Sequence, residues 1–216
     1  MSIKFSYKIL SLFVIIILLY TGLSASEPEK ESAAGDYLQQ QIILKKGTDK
    51  YSLGTYLFYL EDKKGQWSVH DVKKSPLFEK FTRSDVEIPN FGFTNSVYWL
   101  KCTLLFPEQP SYEKKWFLEM AYPLIDNIVL YIPQAKDKFT IIKGGDRIPF
   151  NNRPIKYHNI IFPVKTFSDR PITLYFRVKS QGSVQIPIIL LSSETFIEKI
   201  NKELYILGIY YGMMLV

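Results

Sequence analysis

The amino-acid sequence predicts an all-β protein, an antiparallel β-sandwich followed by a C-terminal helix, and three observations carry that expectation. First, Tyr98, Leu100, Cys102, Leu104 and Phe106 alternate with Val97, Trp99, Lys101, Thr103 and Leu105, the period-two pattern of a strand packed on one side. Second, Ile172, Leu174, Phe176 and Val178 alternate as cleanly with Thr173, Tyr175, Arg177 and Lys179. Third, several other segments repeat the pattern, and strands with one apolar face must stack in layers to hide it. The stretch Ser96 to Phe106 holds neither Pro nor Gly, so it is expected to be central.

The totals agree with one domain plus appendages. A chain of 216 residues, 47% hydrophobic and 15% aromatic, can fill the core of one all-β domain. The formal charge is +6, and it falls to +4 without the first 25 residues, which hold Lys4 and Lys8 and no acid. So mild an excess, with no basic run interleaved with aromatics, argues against nucleic acid as a partner. Cys102 is the one cysteine, which excludes an intrachain disulfide and a Cys-based zinc cluster; on the apolar face of its strand it reads as packing.

Taken in order, residues 1–25 combine Lys4 and Lys8 with a greasy run from Ile9 to Leu23 and end in Ser24 and Ala25, the make-up of an export signal helix. Whether cleaved or kept as an anchor, it directs the following residues outward. Residues 26–50 are rich in Glu, Lys, Ser, Ala, Gly and Gln and read as a linker. The sandwich is expected over 51–191. Leu53 to Leu60 and Trp67 to Val72 read as a hairpin about the polar turn Glu61 to Gly65, and Val86 to Pro89 as a short strand before a loop at Asn90 to Phe93. Strands follow at Trp116 to Ala121, Asn127 to Ile132, Phe139 to Ile142, Ile160 to Val164, Ile172 to Lys179 and Val184 to Leu191, the last interrupted at Pro187. Between them, Asp146 to Asn159 is a long irregular loop. At Ser192 and Ser193 the period changes to that of a helix, polar as far as Glu203 and wholly apolar from Leu204 to Val216. Residues 192–216 are therefore expected to be a junction and the start of a first membrane helix, truncated by the end of the available sequence; a bilayer span needs about 20 apolar residues. Gly208 and Gly212, four apart, suit close helix packing in a membrane. A buried core helix is the alternative.

This order of segments, together with the runs Asn90 to Leu100 (NFGFTNSVYWL), Glu119 to Asp126 (EMAYPLID), Gly145 to Phe150 (GDRIPF), Arg153 to Ile155 (RPI) and Leu207 to Tyr211, resembles the extracellular region of bacterial seven-transmembrane receptors with diverse intracellular signalling modules, in its second extracellular type. The resemblance covers roughly residues 50–216. It implies a jelly-roll-like sandwich similar to carbohydrate-binding modules, set in the periplasm before helices of the bacterial inner membrane and a cytoplasmic output module.

No nucleotide-binding loop, nucleophile elbow or metal-ligand pair is visible, and His70 and His158 lie far apart, so no metal or cofactor is expected. A sugar offers apolar ring faces and fans of hydroxyls, so its site needs a flat aromatic ring and a few forked polar groups. Trp99, Tyr122, Tyr157 and His158 are the candidate platforms and neighbours, with Asp126, Asp146, Arg147 and Arg153 as polar partners. The bland reading gives each a structural role: Asp146 and Arg147 would close a turn and pair, and Trp99 would pack under the linker. The expected function is a non-enzymatic, periplasmic ligand-sensing domain that takes a carbohydrate or similar small ligand and passes occupancy to membrane helices. One alternative is a protein-interaction or homodimerisation domain. The other is a glycoside hydrolase using two of Glu119, Asp126 and Asp146.

Overall fold

A computed structural model describes residues 41–105, 115–164 and 170–215. The expected signal segment 1–25 and most of the linker lie outside the described residues. The described residues form one compact unit. Its strands in chain order are β1 (Gln41–Ile43), β2 (Lys50–Ser52), β3 (Phe58–Asp62), β4 (Thr82–Arg83), β5 (Asn90–Phe93), β6 (Val97–Leu105), β7 (Trp116–Met120), β8 (Asn127–Pro133), β9 (Phe139–Gly144), β10 (Ile160–Val164), β11 (Ile172–Lys179), β12 (Ser183–Gln185) and β13 (Ile188–Ser192). Among the described residues two α-helices accompany them, α1 (Val69–Val72) and α2 (Ser193–Met214).

The strands make a sandwich because two sheets each carry an apolar face. One sheet runs β4-β3-β6-β11-β8-β9, with β1 also paired to β6; the other runs β10-β7-β13-β2. Tyr98, Leu100, Cys102 and Leu104 of β6, with Leu174, Phe176 and Val178 of β11, meet Leu118 and Met120 of β7 and Ile160 and Phe162 of β10 in one buried cluster. At 25 cal/mol per Å², burying each large side chain stabilises the fold by about 1.5–3 kcal/mol relative to exposure. The pairings are antiparallel except for β1, which runs parallel to the end of β6. β6 is central as expected: β11 flanks one side, and β3 and β1 share the other. Cys102 lies in this core, where burial pushes its thiol up to about 12, far from nucleophilic use.

Both sheets are also covered on their outer faces, which alternation alone did not reveal. Trp99 is 0% exposed. It packs with Leu60, Val69, Val72, Val97 and Tyr175 beneath α1 and the residues around Trp67 and Phe81. Trp67 to Val72, expected as a strand, is two irregular residues and a short helix instead. The cause is local: the Asp71 carboxylate accepts from the Ser68 backbone N–H at 2.8 Å and from its hydroxyl at 2.7 Å, a helix-starting box. Those bonds hold Asp71 below the usual carboxylate range.

Three other expectations are corrected. The segment 26–50 is not all linker, because β1 pairs with β6 and buries Ile42 and Leu44 in the core. Val86 to Pro89 forms no strand; Glu87 passes its backbone over Gly54, where a side-chain carbon would collide with it. The residues beyond it, Asn90 to Phe93, read as a loop, form β5 and pair with β12. Pro187 does interrupt the last strand, separating β12 from β13.

The helix α2 begins where the sequence changes period, capped by Ser192, whose hydroxyl accepts from the Thr195 N–H at 3.3 Å. Its first turns lie on the outer face of the smaller sheet, where Phe196 and Ile200 pack with Phe117, Tyr157, Ile161, Ile189 and Leu191. From Leu204 to Leu215 every side chain is exposed, so the helix does not fold back into the sandwich. Among the described residues, no helix is long and apolar enough to cross a membrane.

Candidate functional site

The eight sequence-selected residues fall into three places. Trp99 is buried beneath α1 and presents no face to a ligand, so the expected platform is absent there. The alternation of β6 does put it opposite the core; a further layer, invisible in a single strand's pattern, hides it.

Asp126, Asp146 and Arg147 come together at one end of the larger sheet, where the β7–β8 connection, the end of β9 and the end of β11 converge. This convergence follows from register: Asn127 faces Lys179, and Ile128 faces Gly144. Asp126 Oδ2 accepts from the Gln181 N–H at 2.9 Å and from Arg147 Nη2, 3.2 Å away. Arg147 Nη2 also donates to Gln181 Oε1 at 2.8 Å. The Asp126 N–H donates to Ser180 Oγ at 3.3 Å, and the Asp146 N–H donates to the Ile125 carbonyl at 2.9 Å. Arg147 thus pairs with Asp126, not with its neighbour Asp146. Its side chain stays 60% exposed, whereas that of Asp126 is 18% exposed. The salt bridge is therefore worth at most about 1 kcal/mol to stability. Its use is positional, holding a guanidinium edge and an amide at the rim of a recess of about 170 Å³ lined by Asp126, Asn127, Arg147, Lys179 and Gln181. Tyr122, in the same β7–β8 connection, is half-buried against the core.

Gly145 makes this corner feasible. Its φ is +131°, and a side-chain carbon there would strike the Asp126 carbonyl.

Arg153, Tyr157 and His158 lie elsewhere, in the stretch before β10, where Tyr157 packs against α2. Arg153 Nη1 donates to the carbonyls of Tyr157 at 3.3 Å and His158 at 3.4 Å, so it ties the loop to itself. The Tyr157 and His158 rings lie 4.0 Å apart. Tyr157 is buried, and its hydroxyl donates to Glu203 Oε2 at 2.6 Å. Burial first, then that bond and the nearby carboxylates, raises the phenol well above its usual range. Beside it, Glu119 projects from the outer face of β7 and is 0% exposed. Its Oε1 accepts from Asn159 Nδ2 at 2.6 Å and Lys199 Nζ at 2.5 Å. A carboxylate shut under a helix and matched to a lysine has no path to a substrate, which removes it from a hydrolytic pair.

Gln181, Lys179 and Asn127 were missed by sequence reasoning, since a lone amide or lysine at a strand end carries no signal. A second recess of about 290 Å³ lies at the turn lined by Glu61, Asp62, Lys63, Lys64, Gln66 and Trp67. There Asp62 is already committed, accepting from the Gly65 and Trp67 N–H groups at 2.8 and 2.9 Å. Among the described residues no group of three or more His, Cys, Asp or Glu could hold a metal ion.

Two sheets enclosing one core, a loop-built polar recess at the sheet end and a helix leaving from the last strand define a sandwich domain mounted on a helix. The family model described as 7TMR-DISM extracellular 2 matches residues 54–192, and the chain belongs to that family, the extracellular domains of membrane receptors. No curated protein matches the chain.

Proposed function

We propose that this chain is the periplasmic sensing domain of an inner-membrane signalling receptor, and that it takes a carbohydrate or similar polyhydroxylated ligand at the Asp126–Arg147–Gln181 recess. The observation that supports this most is the convergence of a carboxylate, a guanidinium and an amide from three separate connections on one rim. Such groups offer paired donors and acceptors to vicinal hydroxyls. Tyr122 stands in the same β7–β8 connection as Asp126, and Asp146 adjoins Arg147 outside the recess lining. The recess at Trp67 comes from one turn with its buried carboxylate already used, so it supports the reading less. In this proposal the sandwich is jelly-roll-like, residues 1–25 direct export, and the apolar end of α2 begins the membrane portion, so that the domain acts by binding and not by catalysis.

The test is a thermal-shift screen of the full chain in detergent against mono- and disaccharides and cell-wall glycan fragments. A true ligand at about 100 times its Kd should raise Tm by about 5–10 °C. Arg147→Gln should remove that shift, and Trp67→Ala should keep it. A shift that survives Arg147→Gln, or none across the panel, sinks the proposal.

A second reading, docking of a partner protein or another copy, draws on the apolar exposure of Val86 (48%), Ile88 (53%) and Phe93 (84%) along β5 and the segment before it.

A further inference from the structure

Glu119 is the fully buried carboxylate that no ligand reading uses, and its position explains what the long loop after β9 does. One oxygen, Glu119 Oε1, receives both the loop, through Asn159 Nδ2, and the helix α2, through Lys199 Nζ. A second bridge joins the same two elements, from the Tyr157 hydroxyl to Glu203. On α2 the residues involved are Phe196, Lys199, Ile200 and Glu203, spaced i, i+3, i+4 and i+7 on one face. Past Glu203 the helix side chains are exposed, so these two turns are what holds it to the sandwich. At its other end the loop carries Arg147 into the recess beside Asp126.

We infer that the segment Gly145 to Asn159 is a transmission strap: it senses the recess through Arg147 and sets how tightly α2 is clamped, through the Asn159–Glu119–Lys199 and Tyr157–Glu203 bridges. The inference rests on the ligand site proposed above and names how that site would be read out. The clamp is suited to two discrete states. Lys199 is 33% exposed and can swing into water, whereas Glu119 at 0% cannot follow it, so the pair is either made or broken. A ligand that draws Arg147 away from Asp126 would move the strap, and would favour one state only by binding it more tightly. Glu119 and Tyr157 are positioning residues here; neither meets the ligand.

Hydrogen exchange followed by mass spectrometry on the full chain tests this without any ligand. The double variant Tyr157→Phe/Asn159→Leu should speed exchange of amides 197–203 by about tenfold or more, with the amides of β6 and β11 unchanged. Arg147→Gln, which unties the recess end, should also change exchange at 197–203, and should no longer do so in the double variant. Circular dichroism and Tm of each variant confirm folding, and Tyr157→Phe alone serves if the double variant does not fold. An Arg147→Gln effect confined to 145–150, or one that adds independently to that of the bridge variant, overturns the strap. Because no sugar is used, a failed ligand screen leaves this result standing, and sugar binding without strap coupling refutes the strap alone.

Discussion

Replacing Lys199 with methionine should cost about 3–5 kcal/mol of stability, because it leaves the Glu119 carboxylate 0% exposed, without its cation and held by Asn159 alone. An exposed helix lysine ordinarily contributes a few tenths of that. Removing both charges together should have the opposite effect. Glu119→Met and Asn159→Leu combined with Lys199→Met should regain most of the loss, since no buried polar group is then left without its partner and apolar side chains suit a site beside Phe117, Ile161 and Ile189. Urea unfolding of the two variants decides it. A single-variant loss below about 1 kcal/mol would mean that Glu119 finds another partner, and that α2 is held by Phe196, Ile200 and the Tyr157–Glu203 bond instead.

The second large effect is expected at Gly145. Alanine there meets two penalties, a φ of +131° that side chains rarely adopt and a collision with the Asp126 carbonyl. Together they should cost about 2–4 kcal/mol. They should also displace Asp126 from Arg147, so any sugar response should vanish even below the lowered melting temperature. Gly47 is a useful contrast, since its φ is +82° but open space surrounds it, and alanine there should cost about 1–2 kcal/mol. Equal losses at the two positions would show that backbone strain alone matters, and that the Asp126 corner is compliant.

The architecture was readable wherever one physical signal dominated. β6 and β11 alternate because one face meets a core, and their pairing follows that pattern. The helix start at Ser192 was legible to within a residue for the same reason, a change of period with a capping hydroxyl. Misreadings arose where a second layer or a side-chain bond intervened. Trp99 and Glu119 both point away from the core, which in a two-layer protein means water; here α1 covers one and α2 the other. Ser68 and Asp71 turned a β-prone run into a helix through two hydrogen bonds. Of the proposed site, Asp146 and Arg147 were singled out from the irregular loop and Asp126 as a polar partner, and the structure brings Arg147 and Asp126 together. Arg153 and Tyr157 sat in the same irregular loop, yet they serve its fold and its grip on α2, a distinction that composition does not carry.

The parallel addition of β1 has a practical consequence for anyone cutting out this domain. Starting the chain at residue 51 or 54, where the family match opens, would delete the strand that covers Thr103 to Leu105 and would remove Ile42 and Leu44 from the interior. The bared margin of β6 would then offer free peptide groups to any neighbouring molecule, and such fragments should self-associate in gel filtration. Beginning at about residue 40 keeps that margin closed.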